Sequence, residues 1–300
     1  MNPFTINSYH GPHYFCDRDE ETKKLITAIT NQQDVTLYAY RRLGKSALIQ
    51  HVFNQMPKGY HTVFVDLWGT TSVGDLVKEV ANAVIRSGTF GKRNFGDKFN
   101  DFVRSLGASL SFGIDGQPSL SMVVNDKKHQ FNDLEQIFLF LQNLPNEVVL
   151  ALDEFQEINN YTDSLALEGK LRALGQQCSN IRFIYSGSEK DLLNQIFNKY
   201  KRPFYQSTRM IALGKIDSIL YGNFIEKHFK AGNKPIPRQV IDYILQITYC
   251  HTRYVQVICN HLYTEEVLPQ TRVEFERMYY SFLEEQSSFY AEIPDRITRQ

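Results

Sequence analysis

A chain that carries Ala39-Tyr40-Arg41-Arg42-Leu43-Gly44-Lys45-Ser46 has few folds open to it. An apolar run from Val35 to Tyr38 leads in, and an apolar-periodic run with Ala47, Leu48, Val52 and Phe53 leads out. The stretch therefore reads as strand, loop and helix. Gly-Lys-Ser at a helix start turns backbone N–H groups and the positive end of the helix dipole toward an anion. Gly44 lets the backbone approach phosphate with no Cβ in the way. In such a loop Lys45 reaches the β- and γ-phosphates and the Ser46 hydroxyl ligates Mg²⁺. The phosphate-loop pattern asks for glycine five residues before Gly44, and the residue there is Ala39. Alanine avoids positive φ, so the loop entry is expected to differ in shape, or nucleotide affinity to fall.

Apolar patterning continues on both sides. Residues 1–20 are rich in turn formers and aromatics (Pro3, Gly11, Pro12, Tyr9, Tyr14, Phe15) and are expected to pack as a loop on the main domain. Glu21 to Thr30 reads as a helix, 35–40 as a strand and 46–56 as a helix stopped by Pro57-Lys58-Gly59. His61 to Leu67 reads as a strand. Ser72-Val73-Gly74-Asp75 is a capping box for a helix with Leu76, Val77, Val80, Val84 and Ile85 on one side. Residues 87–104 give no clear pattern. Leu110, Phe112, Ile114 and Leu120, Met122, Val124 alternate on either side of Asp115-Gly116-Gln117-Pro118, which predicts a β-hairpin. Phe131 to Leu141 marks a helix. Val148-Val149-Leu150-Ala151-Leu152 is a continuous apolar run suited to a buried parallel strand. Helix 164–177, strand 181–185, helix 189–200 and strand 209–213 follow. Strands alternating with helices give a parallel sheet with right-handed crossovers. Beyond Leu213 only helices remain, at 217–230, 237–248 with Pro237 in its first turn, 252–264 and 271–290.

The 300 residues suffice for about two domains. Lys and Arg number 33 and Asp and Glu 33, so the net charge is zero and the pI about 7.1. No global field draws the chain to nucleic acid or to an anionic membrane. Cys16, Cys178, Cys250 and Cys259 contain no C-x-x-C pair and fit a reducing cytosol. Met1-Asn2-Pro3-Phe4 lacks the pattern of a signal peptide, and no apolar run approaches the roughly 18 residues of a membrane span. A soluble, cytoplasmic protein is expected.

Asp153-Glu154 closes the 148–152 strand, at the end where α/β sheets bind ligands. A carboxylate there holds Mg²⁺ through its water shell, the role assigned to Asp153. Glu154 is the candidate general base that polarises the attacking water. Ser186-Gly187-Ser188 closes strand 181–185; its hydroxyls either meet the γ-phosphate and the water or cap the next helix. Arg202, Arg209 and Arg253 are candidates for an arginine at the transferred phosphoryl, a group a neighbouring subunit can also supply. Cys250-His251 with Cys259 and His261 matches no zinc spacing, and positions two apart on a helix face different ways. Asp66 ends the second strand either as a supporting polar group or as a plain terminator. The many aromatics are scattered and read as core rather than as a stacking surface.

Together these residues resemble the archaeal-type P-loop ATPases, AAA-like relatives of the STAND class found in archaea and bacteria. The resemblance spans nearly the whole chain. Asn2-Pro3-Phe4 and Phe15-Cys16-Asp17-Arg18-Asp19-Glu20 are similar to the family's N-terminal box near the adenine, with Asp17 where the family has Gly. Arg41 to Ser46 resembles its R-R-x-G-K-[ST] loop, and Leu152-Asp153-Glu154-Phe155-Gln156 its Walker B strand. Ser186-Gly187-Ser188 resembles its sensor-1 segment and Arg202-Pro203-Phe204-Tyr205 its P-[LF]-Y loop. Thr252-Arg253-Tyr254-Val255-Gln256 resembles its small-domain helix, with Thr252 where Pro is usual.

The resemblance implies an α/β fold: a P-loop NTPase with a parallel five-stranded sheet flanked by helices, AAA-like, followed by a small all-helical lid domain. The ATPase domain is expected over 1–214, with the hairpin inserted at 105–126, and the lid over 215–300. ATP and Mg²⁺ are the implied ligands. The implied activity is ATP hydrolysis, coupled through lid closure to a partner or to oligomer contacts. On this reading Glu154, Lys45, Asp153 and Ser188 are catalytic. Tyr40, Arg41, Arg42, Leu43, Gly44, Lys45, Ser46 and Ala47 bind the nucleotide together with Arg18 and Arg253. Ser46 and Asp153 hold the Mg²⁺. The chain has no Asn-Lys-x-Asp base-reading motif, which favours ATP over GTP. A rival expectation is a STAND-type switch with very slow turnover, signalling or associating with DNA through a C-terminal domain. A third reading, resting on Ala39, is a scaffold that takes no nucleotide. A homo-oligomer and a protein or DNA partner are open, and no membrane partner is expected. Family members commonly continue into a winged helix, and the chain ends at Gln300, about where that domain would begin.

Overall fold

The computed structural model describes residues 2–88, 102–106, 108–112, 118–122 and 127–290. Residues 89–101 and the Asp115-Gly116-Gln117 turn of the expected hairpin lie outside that set. The chain forms two compact units.

The larger unit is built from Asp19–Arg41 and Leu48–Leu213. Its elements begin with α1 (Asp19–Thr30), β1 (Val35–Tyr38), α2 (Lys45–Gln55), whose first residues belong to the other unit, β2 (Tyr60–Asp66) and α3 (Val73–Arg86). Next come β3 (Ala108–Phe112), β4 (Pro118–Met122), α4 (Lys127–Gln142) and β5 (Glu147–Asp153). α5 (Ser164–Gln177), β6 (Ile181–Gly187), α6 (Lys190–Phe197) and β7 (Arg209–Ala212) complete it. Five strands pair in the order β2-β5-β6-β1-β7, every pair parallel. The five-stranded parallel sheet is the one expected. β3 and β4 form a separate antiparallel pair, with Ala108 opposite Met122 and Phe112 opposite Pro118.

The apolar run of β5 is buried from Val148 to Asp153 because helices lie on both faces. Val148, Leu150 and Leu152 point to one face, where Phe183 and Tyr185 of β6 meet Leu76, Val80 and Val84 of α3 and Phe138 of α4 in one core. Val149, Ala151 and Ile184 alternate to the other face and are also fully buried; α1 packs on β1. The capping box holds as read: the Asp75 N–H donates to Ser72 Oγ at 3.1 Å, and Asp75 Oδ2 accepts from the Ser72 hydroxyl and from the Thr71 N–H, each at 2.9 Å.

The second unit comprises Met1–Arg18, Arg42–Ala47 and Gly214–Gln300. Its helices are α7 (Ser218–Ala231), α8 (Arg238–Ile247), α9 (Thr252–Thr264) and α10 (Arg272–Tyr290). Their core gathers Tyr221, Ile225, Phe229, Ile241, Ile244, Val255, Cys259 and Phe275. Here the structure departs from the sequence reading. Met1–Arg18 group with this helical unit, and Phe4 and Cys16 lie in its core. The Phe4 ring sits 5.1 Å from Phe229 and 5.9 Å from Tyr263, and its carbonyl accepts from Asn260 Nδ2 at 2.6 Å. An isolated phenylalanine gains most from burial where aromatic edges already surround a slot. Pro237 stands one place earlier than read, as the N-cap of α8 at φ −63°. Among the described residues, no helix is long and apolar enough to cross a membrane.

Candidate active site

Parallel pairing brings the carboxyl ends of β1, β6 and β5 to one edge of the sheet. From β1 the chain enters the glycine–lysine loop. Ala39 continues the strand pairing, its N–H donating to the Gly187 carbonyl at 3.3 Å. Left-handed backbone falls later, at Arg42 (φ 64°) and Gly44 (φ 96°). This is why alanine is tolerated at position 39: the turn does not put positive φ there. A Cβ on Gly44 would meet nothing nearer than Thr252 Cγ2 at 4.0 Å, so dihedral angle rather than space calls for glycine. Lys45 is the first residue of α2 and is 5% exposed. Tyr40 is exposed, and the Arg41 guanidinium lies over the ring of Trp68 at 4.6 Å. In the helical unit, the Thr252 hydroxyl donates to the Leu43 carbonyl at 3.2 Å.

At the end of β5 the acidic pair is braced from β6. The buried Ser186 hydroxyl donates to Asp153 Oδ1, which also accepts the Glu154 N–H at 3.1 Å. Glu154 leaves the strand in left-handed conformation (φ 51°, ψ 42°), and a 3₁₀ helix, Phe155–Asn160, follows at once. Its carboxylate is gripped at Oε2: Gln156 Nε2 donates at 2.5 Å, the Ser188 hydroxyl at 2.8 Å and the Ser188 N–H at 3.3 Å. The Ser188 hydroxyl thus bonds Glu154, a partner neither sequence reading named; the residue at the N-cap of α6 is Glu189, without a side-chain cap. Behind the pair Phe155 packs on Tyr185 (4.5 Å between centroids), and both touch Phe197 and Phe204. Burial raises the Glu157 carboxyl, assisted by the charges of Glu154 and Glu189.

Of the three candidate arginines, Arg202 and Arg253 are engaged within the chain, while Arg209 is exposed at the start of β7. Arg202 pairs with the fully buried Glu168 and donates to Asn159 Oδ1 at 3.0 Å. Burial pushes the Glu168 carboxyl up to about 7, opposed by Arg202. Arg253 donates to the Ile6 carbonyl at 2.7 Å and to Asn7 Oδ1 at 3.1 Å. Arg18, buried and left-handed at φ 75°, donates to the Gly214 carbonyl at 2.8 Å. Asp66 accepts the Trp68 N–H at 2.9 Å, as a strand terminator does. The sequence reading placed Gln156 in the Walker B segment and Gly187 in the sensor-1 segment but gave neither a role of its own. Only the 3₁₀ turn, which carries the Gln156 side chain back toward Glu154, reveals them.

A family model described as AAA domain matches residues 29–197, more than half of the chain, and the chain belongs to that family. Its fold is similar to that of a Walker-type ATPase of Pyrococcus abyssi, at TM-score 0.71 and 19% identity, covering 99% of this chain and 79% of that one. It is similar to the ORC1 protein of Aeropyrum pernix, solved in complex with DNA, at TM-score 0.63 and 11% identity, covering 98% and 72%. The ORC2 protein of Aeropyrum pernix, solved as ADPNP–ADP complexes, gives TM-score 0.59 and 12% identity, covering 92% and 70%. No curated protein sequence matches the chain.

Proposed function

We propose that the chain binds ATP with Mg²⁺ and hydrolyses it. The braced acidic pair at the end of β5 supports this most directly: Asp153 is oriented by Ser186, and Glu154 is held in a strained conformation by Gln156 and Ser188. Strain of that kind gathers where a side chain has a task. On this reading Asp153 and Ser46 hold the Mg²⁺, which neutralises developing charge on the phosphates when bound. Both offer hard oxygen donors, the chemistry Mg²⁺ prefers. Lys45, a buried cation at the positive end of a helix dipole, is complemented by an anion such as the β- and γ-phosphates. Glu154 accepts the proton of the attacking water, and Ser188 keeps its carboxylate in place. Residues Tyr40 to Ala47 surround the phosphates, while Arg18 and Arg253, bonded to the Gly214 and Ile6 carbonyls, serve the nucleotide indirectly by shaping the N-terminal box and α9. The domain bounds 1–214 and 215–300 are part of the proposal, beside a contact division that groups Met1–Arg18 and Arg42–Ala47 with the helical unit. Coupling to lid closure, to a further copy or to a protein or DNA partner belongs to the same proposal, as does a cytoplasmic location.

Steady-state phosphate release with Mg-ATP, measured beside Glu154→Gln, tests the reading. Turnover lost in the variant with ATP affinity kept supports it; equal turnover removes it. A slow switch of the STAND kind is favoured by one observation: Arg202 and Arg253 are both engaged inside the chain. Such a chain turns over slowly until a partner brings an arginine. ORC1 is solved with DNA, so DNA is the first partner to try, and binding through phosphates would weaken steeply with salt.

A further inference from the structure

We infer that Gln156 is the positioning residue of the hydrolytic step, and that Gly187 is glycine to give it room. The inference rests on the reading of Glu154 as general base. Gln156 is 1% exposed. Its amide nitrogen donates to Glu154 Oε2 at 2.5 Å, joining the Ser188 hydroxyl and N–H on the same oxygen. Its amide oxygen is buried with no hydrogen-bond partner among the described residues. Packing does not ask for such a group. A methionine would fill the same slot with no polar atom left unpaired, and burying an unpaired carbonyl is unfavourable. The bond to Glu154 is what the amide adds.

Gly187 completes the arrangement. It is the last residue of β6, and its φ is not positive, so the backbone does not require glycine. Space does. A Cβ there would collide with Gln156 Oε1 and lie 3.0 Å from Leu193 Cδ1. The end of β6 thus offers two things to the base on β5: Ser188 as a donor and an empty volume through which Gln156 reaches the same carboxylate. Glu154, left-handed and outside the strand ladder, is over-determined by three donors from two elements. Of these, Gln156 ties it to the 3₁₀ turn that directly follows.

The test is steady-state Mg-ATP kinetics on the full chain for Gln156→Met, Gly187→Ala and Glu154→Gln, with the pair Glu154→Gln plus Gln156→Met. A base displaced by about an ångström loses about 10²-fold in rate. The expected result for Gln156→Met is a kcat lower by that order with KM for ATP within about twofold, since ground-state binding does not use Glu154. Gly187→Ala, which pushes the amide aside while keeping it, should show the same split. The double variant should be no slower than Glu154→Gln alone. Wild-type kcat in Gln156→Met, or a further loss on adding it to Glu154→Gln, would overturn the assignment, the latter by marking a structural role. If Gln156→Met does not fold, Gly187→Ala decides alone: unchanged kcat overturns the proposal. Should Glu154→Gln itself turn over like wild type, the hydrolytic reading fails first and the positioning role falls with it.

Discussion

Glu154 sits at φ 51°, ψ 42°, a conformation that costs a non-glycine residue about 1–3 kcal/mol and persists only where neighbours enforce it. Three donors on one carboxylate oxygen enforce it here. Lys45 and Ala39 make contrasting predictions. Lys45→Ala should abolish measurable ATP binding by titration calorimetry; retained affinity would remove the loop from the phosphate site. Ala39→Gly should leave affinity within about threefold, because the left-handed positions are Arg42 and Gly44. A sharp loss would mean that the Cβ of Ala39 itself shapes the loop. Glu168 makes a third prediction, about pH. Its carboxyl stands at about 7 in the folded chain against an ordinary 4.5, chiefly through burial. Between those values the folded state keeps a proton that the unfolded chain has released, so stability falls as pH rises through the window and the loss is complete above about 7. Glu168→Gln should flatten that part of a urea-midpoint curve. A slope of undiminished size would assign it to other groups.

Among the elements, α3 offers the clearest isolated test. Ser72→Ala deletes the acceptor for the Asp75 N–H and should cost about 1 kcal/mol, read as a lower denaturation midpoint. A neutral result would mean the Asp75 bonds to Thr71 suffice. α3 and β5 were legible because each carries a period or an apolar run that only one element satisfies. The 3₁₀ turn after Glu154 was not, since Phe155 to Asn160 has neither period nor breaker. Ser188 looked equally like a cap or a contact, for nothing local decides where a hydroxyl turns. Lys45, Asp153 and Glu154 were readable because short motifs carry them. The fit of Gln156 over Gly187 was not, because it depends on a space shared by two strands' ends. The placement of Phe4 among α7 and α9 escaped for a related reason: an N-terminal aromatic names no partner until the helices that receive it are folded.

For the whole chain, the engaged arginines shape the expected kinetics. If another copy or a partner supplies the arginine, phosphate release per molecule should climb with protein concentration, and ATP should promote association visible by light scattering. A flat specific rate would mean each chain works alone. Ligand binding should also register as stability: at 100 times Kd, a ligand specific to the folded state adds about 2.7 kcal/mol. The melting temperature with Mg-ATP should therefore rise by several degrees, and no rise would favour a loop that takes no nucleotide.

Trp68 is the single tryptophan of the chain, and the Arg41 guanidinium lies across its ring. The molecule thus comes with its own fluorophore, wired to the stretch that precedes Gly-Lys-Ser. Indole emission responds to a cation overhead and to nearby water, so any ligand that draws Arg41 away alters its intensity and colour. Excitation at the red edge leaves the 17 tyrosines dark. The opening and filling of the loop can then be watched in real time, in unlabelled protein, by light alone.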